Sequence, residues 1–138
     1  MMAKLTIVRG IPGSGKSTWA KQHRQCMLVE NDMFLYENGK YIWTPERQQR
    51  AIDLCFTITA DLLAKGIDVV VCNTFTKRCY IKKYIALAKE SNAEVEVIKV
   101  IGRPEWKNIH NVPANVYENM KKNFEDWPGE IVIDNNRC

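Results

Sequence analysis

The stretch LTIVRGIPGSGKST, Leu5–Thr18, runs from a short apolar segment through a loop with three glycines into Lys16-Ser17-Thr18. Leu5 to Val8 reads as a buried strand that Gly10 ends, and a helix is expected from Lys16 to about Gln25. Between them, Gly10-Ile11-Pro12-Gly13-Ser14-Gly15-Lys16-Ser17 matches GxxxxGK[ST] at every position. The glycines let the backbone curl so that successive N–H groups face one centre without side chains blocking close approach. The helix that follows adds its N-terminal amides and the positive end of its dipole. Gly10, Pro12, Gly13, Ser14, Gly15, Lys16, Ser17 and Thr18 are therefore the candidate residues for holding a nucleoside triphosphate, expected to be ATP. Lys16 would reach the β- and γ-phosphates, and the Ser17 hydroxyl would ligate Mg²⁺.

Outward from this loop, strand and helix signals alternate along the chain. Met27 to Val29 is a second short strand, and Phe34 to Trp43 alternates about Asn38-Gly39, a strong hairpin signal. Thr44-Pro45-Glu46 opens a helix whose inward stripe is Ile52, Cys55, Phe56, Thr59, Leu62 and Leu63, and Gly66 ends it. Asp68 to Thr74 is the clearest buried strand. Thr76 is expected to cap the next helix, with Ile81, Tyr84, Ile85 and Ala88 facing inward. Val95–Ile101 is a further strand, Pro113 begins a helix with Val116, Met120 and Phe124 on one side, and Glu130–Asp134 is the last strand. This alternation predicts an α/β fold: three layers around a mostly parallel sheet of about five strands, with a short helical lid near 103–124.

The 138 residues suffice for one domain spanning 1–138, with a sizeable core. Apolar residues at 46% and charged ones at 26% exclude a disordered or fibrous chain. The net charge of +4 suits a polyanionic partner without identifying one. Five cysteines without CxxC or ligand spacing read as reduced thiols, mostly core filling. With no long apolar segment and no leader pattern, a cytoplasmic location without membrane attachment is expected.

Three further places bear on what happens to the bound phosphate. Glu30-Asn31-Asp32 follows the second strand, where a carboxylate sits at the ligand-binding edge of an open sheet. Asp32 either accepts a proton from an attacking hydroxyl or caps a turn. The strand Val69–Asn73 ends in Cys72 and Asn73, where many phosphate-loop proteins place an acid for the metal's water shell. The stretch from Arg103 to Lys122, with Lys107, His110, Lys121 and Lys122, suits a lid that brings a cation over the transferred phosphate. Lys121 and Lys122 also fit a solvated helix face. Asp134 ends an apolar strand in similar style, although a terminal strand is more often a sheet edge.

With these residues in view, the chain resembles the polynucleotide 5′-hydroxyl kinase type of phosphate-loop phosphotransferase, including the phage enzymes, from Leu5 to about Phe124. The resemblance rests on Pro12–Ala20 (PGSGKSTWA) and on Asp32-Met33-Phe34 in a DD[YF] setting. It continues in Gly39–Pro45 against G-x-Y-x-F-D-P, Cys72–Thr76 against DNTNT, and Lys107–Pro113 against RNxHGVP. It implies Asp32 as general base, with Asp32 also a candidate metal ligand beside Ser17. It implies Lys107 or Arg103 as the cation that steadies the transition state, and a nucleic-acid 5′ end as acceptor. Lysine at 107 replaces an arginine, losing the bidentate fork. Cys72 replaces an aspartate, and Leu35 stands where some of these kinases have an arginine.

The rings of Phe34, Tyr36, Tyr41 and Trp43 either stack on bases or fill core, about half being expected to point inward. Lys77, Arg78, Lys82 and Lys83 either make a solvated face or track a phosphate backbone. Two rival readings remain: a small-molecule or nucleoside kinase, and a non-catalytic ATP-binding module that regulates a protein partner.

Overall fold

In the computed structural model, which describes residues 3–22, 26–103, 106 and 113–136, five strands form one parallel sheet. They are β1 (Lys4–Arg9), β2 (Met27–Val29), β5 (Val69–Asn73), β6 (Glu94–Ile101) and β7 (Ile131–Asp134), ordered β2-β5-β1-β6-β7. A two-stranded antiparallel hairpin, β3 (Tyr36–Glu37) with β4 (Lys40–Tyr41), stands apart from it. Asn38 and Gly39 turn the hairpin with φ of 53° and 78°, the doubly positive pair that a tight hairpin needs.

Alternation along the central strands sorts their side chains onto two faces. Leu5, Ile7, Val69, Val71 and Val97 meet the helices α2 (Pro45–Ala64) and α3 (Arg78–Glu90) through Cys55, Leu63, Ile81 and Tyr84. Val8, Val70, Cys72, Ile98 and Val100 face the other way and pack on Ala20 and Trp19 of α1 (Lys16–Lys21). The expected three-layer α/β architecture is thus present, its apolar strands buried on both sides as a parallel sheet requires. Because every strand of the sheet runs the same way, Gly10, Glu30, Thr74, Gly102 and Asn135 all gather at one edge. The strand order reverses beside β1, so the phosphate loop lies at the switch point.

Local expectations are corrected at three places. Thr76 does not cap α3: its N-cap is Lys77, without a side-chain cap, and the Arg78 amide donates to Glu125 Oε1 at 2.7 Å. A carboxylate 47 residues downstream thus does the capping. On α4 (Ala114–Lys122), Tyr117 and Lys121, followed by Phe124, face the site, while Val116 is exposed. Pro113 is the N-cap of that helix rather than its first residue. Of the four rings around the hairpin, Tyr36, Tyr41 and Trp43 are exposed and Phe34 is partly buried against the core, beside the buried Leu35.

Candidate functional site

The phosphate loop turns on Gly13 and Gly15, with φ of 80° and 89°. Side chains are excluded from it for three separate reasons. A Cβ on Gly10 would collide with Ser14 Oγ and come within 2.8 Å of the Val100 carbonyl oxygen. On Gly15 it would meet the Trp106 ring at 2.7 Å. On Gly102, just past β6, it would press on Ser14 Cα and the Gly13 carbonyl oxygen at 2.7 and 2.8 Å. The β6 terminus therefore buttresses the loop by direct backbone contact. Ser14 is buried, and its Oγ has no hydrogen-bond partner among the described residues. An orphaned buried hydroxyl in a glycine cradle fits a site that takes an anion.

Lys16 begins α1 and is drawn into this edge. Burial lowers its pKa from the ordinary lysine value, and the charges around Cys72, Asp32 and Glu30 push it partly back up. Those two acids are the carboxylates that share its field. Ser17 Oγ donates to Glu30 Oε2 at 2.8 Å. Asp32, in a short 3-10 turn over residues 31–34, accepts from the Tyr41 hydroxyl at 3.3 Å. Burial and the neighbouring Asp32 raise the Tyr41 phenol to about 12, so it donates at neutral pH.

The turn that carries Asp32 is fixed from β5. The Asn31 amide donates to Asn73 Oδ1 at 2.8 Å, and Asn73 Nδ2 leans on Cys55 Sγ at 3.7 Å. Cys72, one residue earlier, is a buried thiol; burial first, then the charge of Glu30, raises it to about 12. It stays uncharged at neutral pH.

Two cavities flank the loop, with Trp106 in the wall of both. One, of about 320 Å³, lies between Gly13, Gly15, Thr18 and Trp19 on one side and Trp106 and Asn135 on the other. The second, of about 350 Å³, separates the loop from α4 and is edged by Lys99, Arg103 and Lys121. Arg103 Nε donates to the Asn135 carbonyl oxygen at 2.9 Å, tying the β6 exit to the β7 exit. Lys107 and His110 lie outside the described residues; of the other expected cations, Arg103 and Lys121 edge this cavity. Asp134 accepts from the Asn136 amide at 3.0 Å and serves its own turn.

Of the expected site residues, the phosphate loop, Asp32 and Arg103 come together at one edge. Leu35 is buried, which seats it in packing rather than at the acceptor side. Arg78 donates to the Asp126 carbonyl oxygen at 2.6 Å and Lys83 lies 4.3 Å over the Phe56 ring, so two of the four clustered cations have local occupations. Sequence reasoning gave no role to Glu30, Gly102 or Trp106. Glu30 carried a signal, a charge ending a buried strand; Gly102 and Trp106 gave none, because what they touch is far away in the chain.

Among the described residues no group of three or more His, Cys, Asp or Glu side chains is placed to hold a metal ion. Ser17 with an adjacent carboxylate does fit Mg²⁺, which keeps most of its waters and takes phosphate oxygens as ligands. Among the described residues no helix is long and apolar enough to cross a membrane.

Comparisons with known proteins place the chain by family and fold. A family model described as "AAA domain" matches residues 5–107, and the chain belongs to that family. It is 34% identical over 151 residues to the uncharacterized protein PM0531 of Pasteurella multocida, covering 96% of this chain and 83% of that one. Among solved structures it is similar to an unliganded sugar kinase from Janibacter sp. HTCC2649, with a TM-score of 0.68 at 18% identity, covering 99% and 87% of the two chains. It is also similar to the Pnkp1/Rnl/Hen1 complex structure, with a TM-score of 0.62 at 21% identity, covering 86% of this chain and 38% of that one. At these identities the likeness is one of fold, a fold that kinases use.

Proposed function

We propose that this AAA-domain chain moves the γ-phosphate of ATP to a hydroxyl, and that the acceptor is the 5′-hydroxyl end of DNA or RNA. One observation carries the reading. A complete phosphate loop and Asp32 share a sheet edge, with Lys16 in the field of that carboxylate and exposed Tyr36, Tyr41 and Trp43 beside it.

Lys16 and the loop amides hold the triphosphate. Asp32 takes the proton of the attacking hydroxyl, and a base within hydrogen-bond reach is worth about 10²–10⁴ in rate. Arg103, with Lys107, meets the charge that spreads over the transferred phosphoryl oxygens. Mg²⁺, arriving with the nucleotide and held by Ser17 and a carboxylate beside it, would supply charge neutralisation on the phosphates. The chain's own work is otherwise positioning and exclusion of water. Exposed rings give an acceptor base a surface to stack on, about 1–3 kcal/mol per base.

The small-molecule reading has its own support. The sugar-kinase likeness spans 99% of this chain, and two of the clustered cations on α3 have local partners. An acceptor panel separates the two. Purified protein, γ-labelled ATP and Mg²⁺ are offered 5′-hydroxyl DNA, 5′-hydroxyl RNA, and polyols or nucleosides. Label on an oligonucleotide, with an acceptor KM that rises steeply with salt, is the expected result. Label only on a small alcohol, with a salt-insensitive KM, transfers the case to the second reading.

A further inference from the structure

The sheet places two carboxylates near Lys16, and their surroundings give them different work. Glu30 continues β2 in extended conformation, with φ −135° and ψ 146°. Val29 pairs with Val71 and Val71 with Ile7, so the next residues outward, Glu30, Cys72 and Val8, lie level across three strands. Cys72 belongs to the face packed on α1, the helix that carries Ser17. From one strand farther out than Cys72, the longer glutamate side chain reaches Ser17 Oγ at 2.8 Å. A small uncharged thiol in the strand between leaves it room.

A serine hydroxyl has one proton and two lone pairs. With that proton given to Glu30 and the Cys72 thiol also hydrogen-bonded to the hydroxyl, Ser17 keeps a lone pair for a cation. Asp32 instead accepts the Tyr41 hydroxyl on the hairpin side, where an acceptor would enter. Two carboxylates around one ammonium leave a negative balance, which a divalent cation offsets.

We infer that Glu30, not Asp32, is the acid of the nucleotide's metal site: it orients Ser17 and holds the metal's water shell from β2, where Cys72 leaves β5 without a charge. This rests on the proposed nucleotide-binding function and leaves Asp32 to the acceptor alone.

The test uses Mn²⁺ as probe with the non-hydrolysable β,γ-imido analogue of ATP, and electron paramagnetic resonance reads free against bound metal. Glu30→Gln is expected to weaken Mn²⁺ binding to the protein–nucleotide complex about 10–100-fold, the usual cost of losing an outer partner of a metal ligand. Asp32→Asn is expected to change it less than about twofold, within the spread of surface substitutions. Placing the charge back on β5, as Cys72→Asp in the Glu30→Gln background, is expected to restore part of the affinity. A second measurement needs no substitution. In wild-type protein, electron–nuclear double resonance should find a coupling to isotope-labelled glutamate carboxyl carbon and none to aspartate, so the proposal is decided even where Glu30→Gln fails to fold. Unchanged affinity in Glu30→Gln, or a coupling to aspartate alone, overturns it. If wild-type protein fails to bind the analogue even without metal, the nucleotide reading itself is lost and this one with it. Analogue bound without any metal dependence overturns only the metal site.

Discussion

Arg9 Nη1 lies 2.9 Å from Glu130 Oε1, and the two side chains are 0% and 8% exposed. Arg9 immediately precedes the phosphate loop, on the face of β1 that packs against α2 and α3. Its guanidinium donates to the Phe75 carbonyl oxygen through Nε and Nη2, at 3.1 and 2.8 Å, and also to the Glu125 carbonyl oxygen. It stacks 4.1 Å over the Phe124 ring. One cation thereby ties the segment that leaves α4 to the exits of β1 and β5. It also pins Phe75, whose φ of 45° a bulky side chain rarely adopts.

Removing that cation strands a buried carboxylate. Arg9→Met should cost about 3–5 kcal/mol of stability, as breaking a buried pair does. Arg9→Met with Glu130→Met should recover much of the loss, because no charge is then left unpaired. Urea unfolding of the two single variants and the double variant measures this. Equal loss in single and double variants would contradict the assignment.

Gly102 lies outside the phosphate-loop motif yet touches its backbone. Gly102→Ala should force the loop to shift, at about 1–3 kcal/mol of strain, and weaken nucleotide binding on the order of tenfold. Calorimetric titration with the imido analogue, alongside an unchanged far-ultraviolet circular dichroism spectrum, checks it.

Lys16 sets a pH dependence with a definite sign. In the free protein its pKa lies below the ordinary lysine value of 10.5, mainly through burial. A bound triphosphate favours the charged ammonium, so above the free-protein pKa binding must take up a proton. Nucleotide affinity should therefore be level at neutral pH and fall with rising pH before 10.5 is reached. Lys16→Arg, charged throughout, should lose that slope whatever its absolute affinity. An affinity independent of pH up to that value in the parent protein would contradict the placement of Lys16.

In the proposed reaction, the Tyr41 hydroxyl steadies the Asp32 carboxylate to which it donates at 3.3 Å. Tyr41→Phe should lower kcat about 10–100-fold, the worth of about one hydrogen bond to a charged group, with nucleotide affinity unchanged. A steady-state comparison at saturating ATP reads both quantities. Loss of nucleotide binding in Tyr41→Phe would place the ring on the donor side instead.

The sheet was legible because its evidence is local. Apolar runs such as Val69–Asn73 bury on both faces and read as strands, and Asn38-Gly39 fixes the hairpin by backbone preference alone. The phosphate loop was legible for the same reason, since all its parts are contiguous. What sequence could not supply depends on groups distant along the chain. Glu125 caps α3 from 47 residues away; Gly102 meets the loop only because β6 pairs with β1. Arg9 received no role from the sequence, because its partner Glu130 belongs to the other end of the chain. On α4, periodicity alone put Val116 inward, whereas the described face toward the site is Tyr117 and Lys121. A helix over an open cavity can take mixed polarity on its inner side, which defeats a reading based on apolar stripes.

The most direct measurement is a single-turnover transfer assay with enzyme in excess over γ-labelled ATP and a 5′-hydroxyl oligonucleotide. Label should move to the oligonucleotide with wild-type protein and not with Lys16→Ala. With Asp32→Asn it should move about 10²–10⁴-fold more slowly, while the imido analogue binds that variant as tightly as the parent. Transfer at the parent rate by Asp32→Asn, or no transfer to any hydroxyl acceptor by a wild-type protein that binds ATP, would contradict the account.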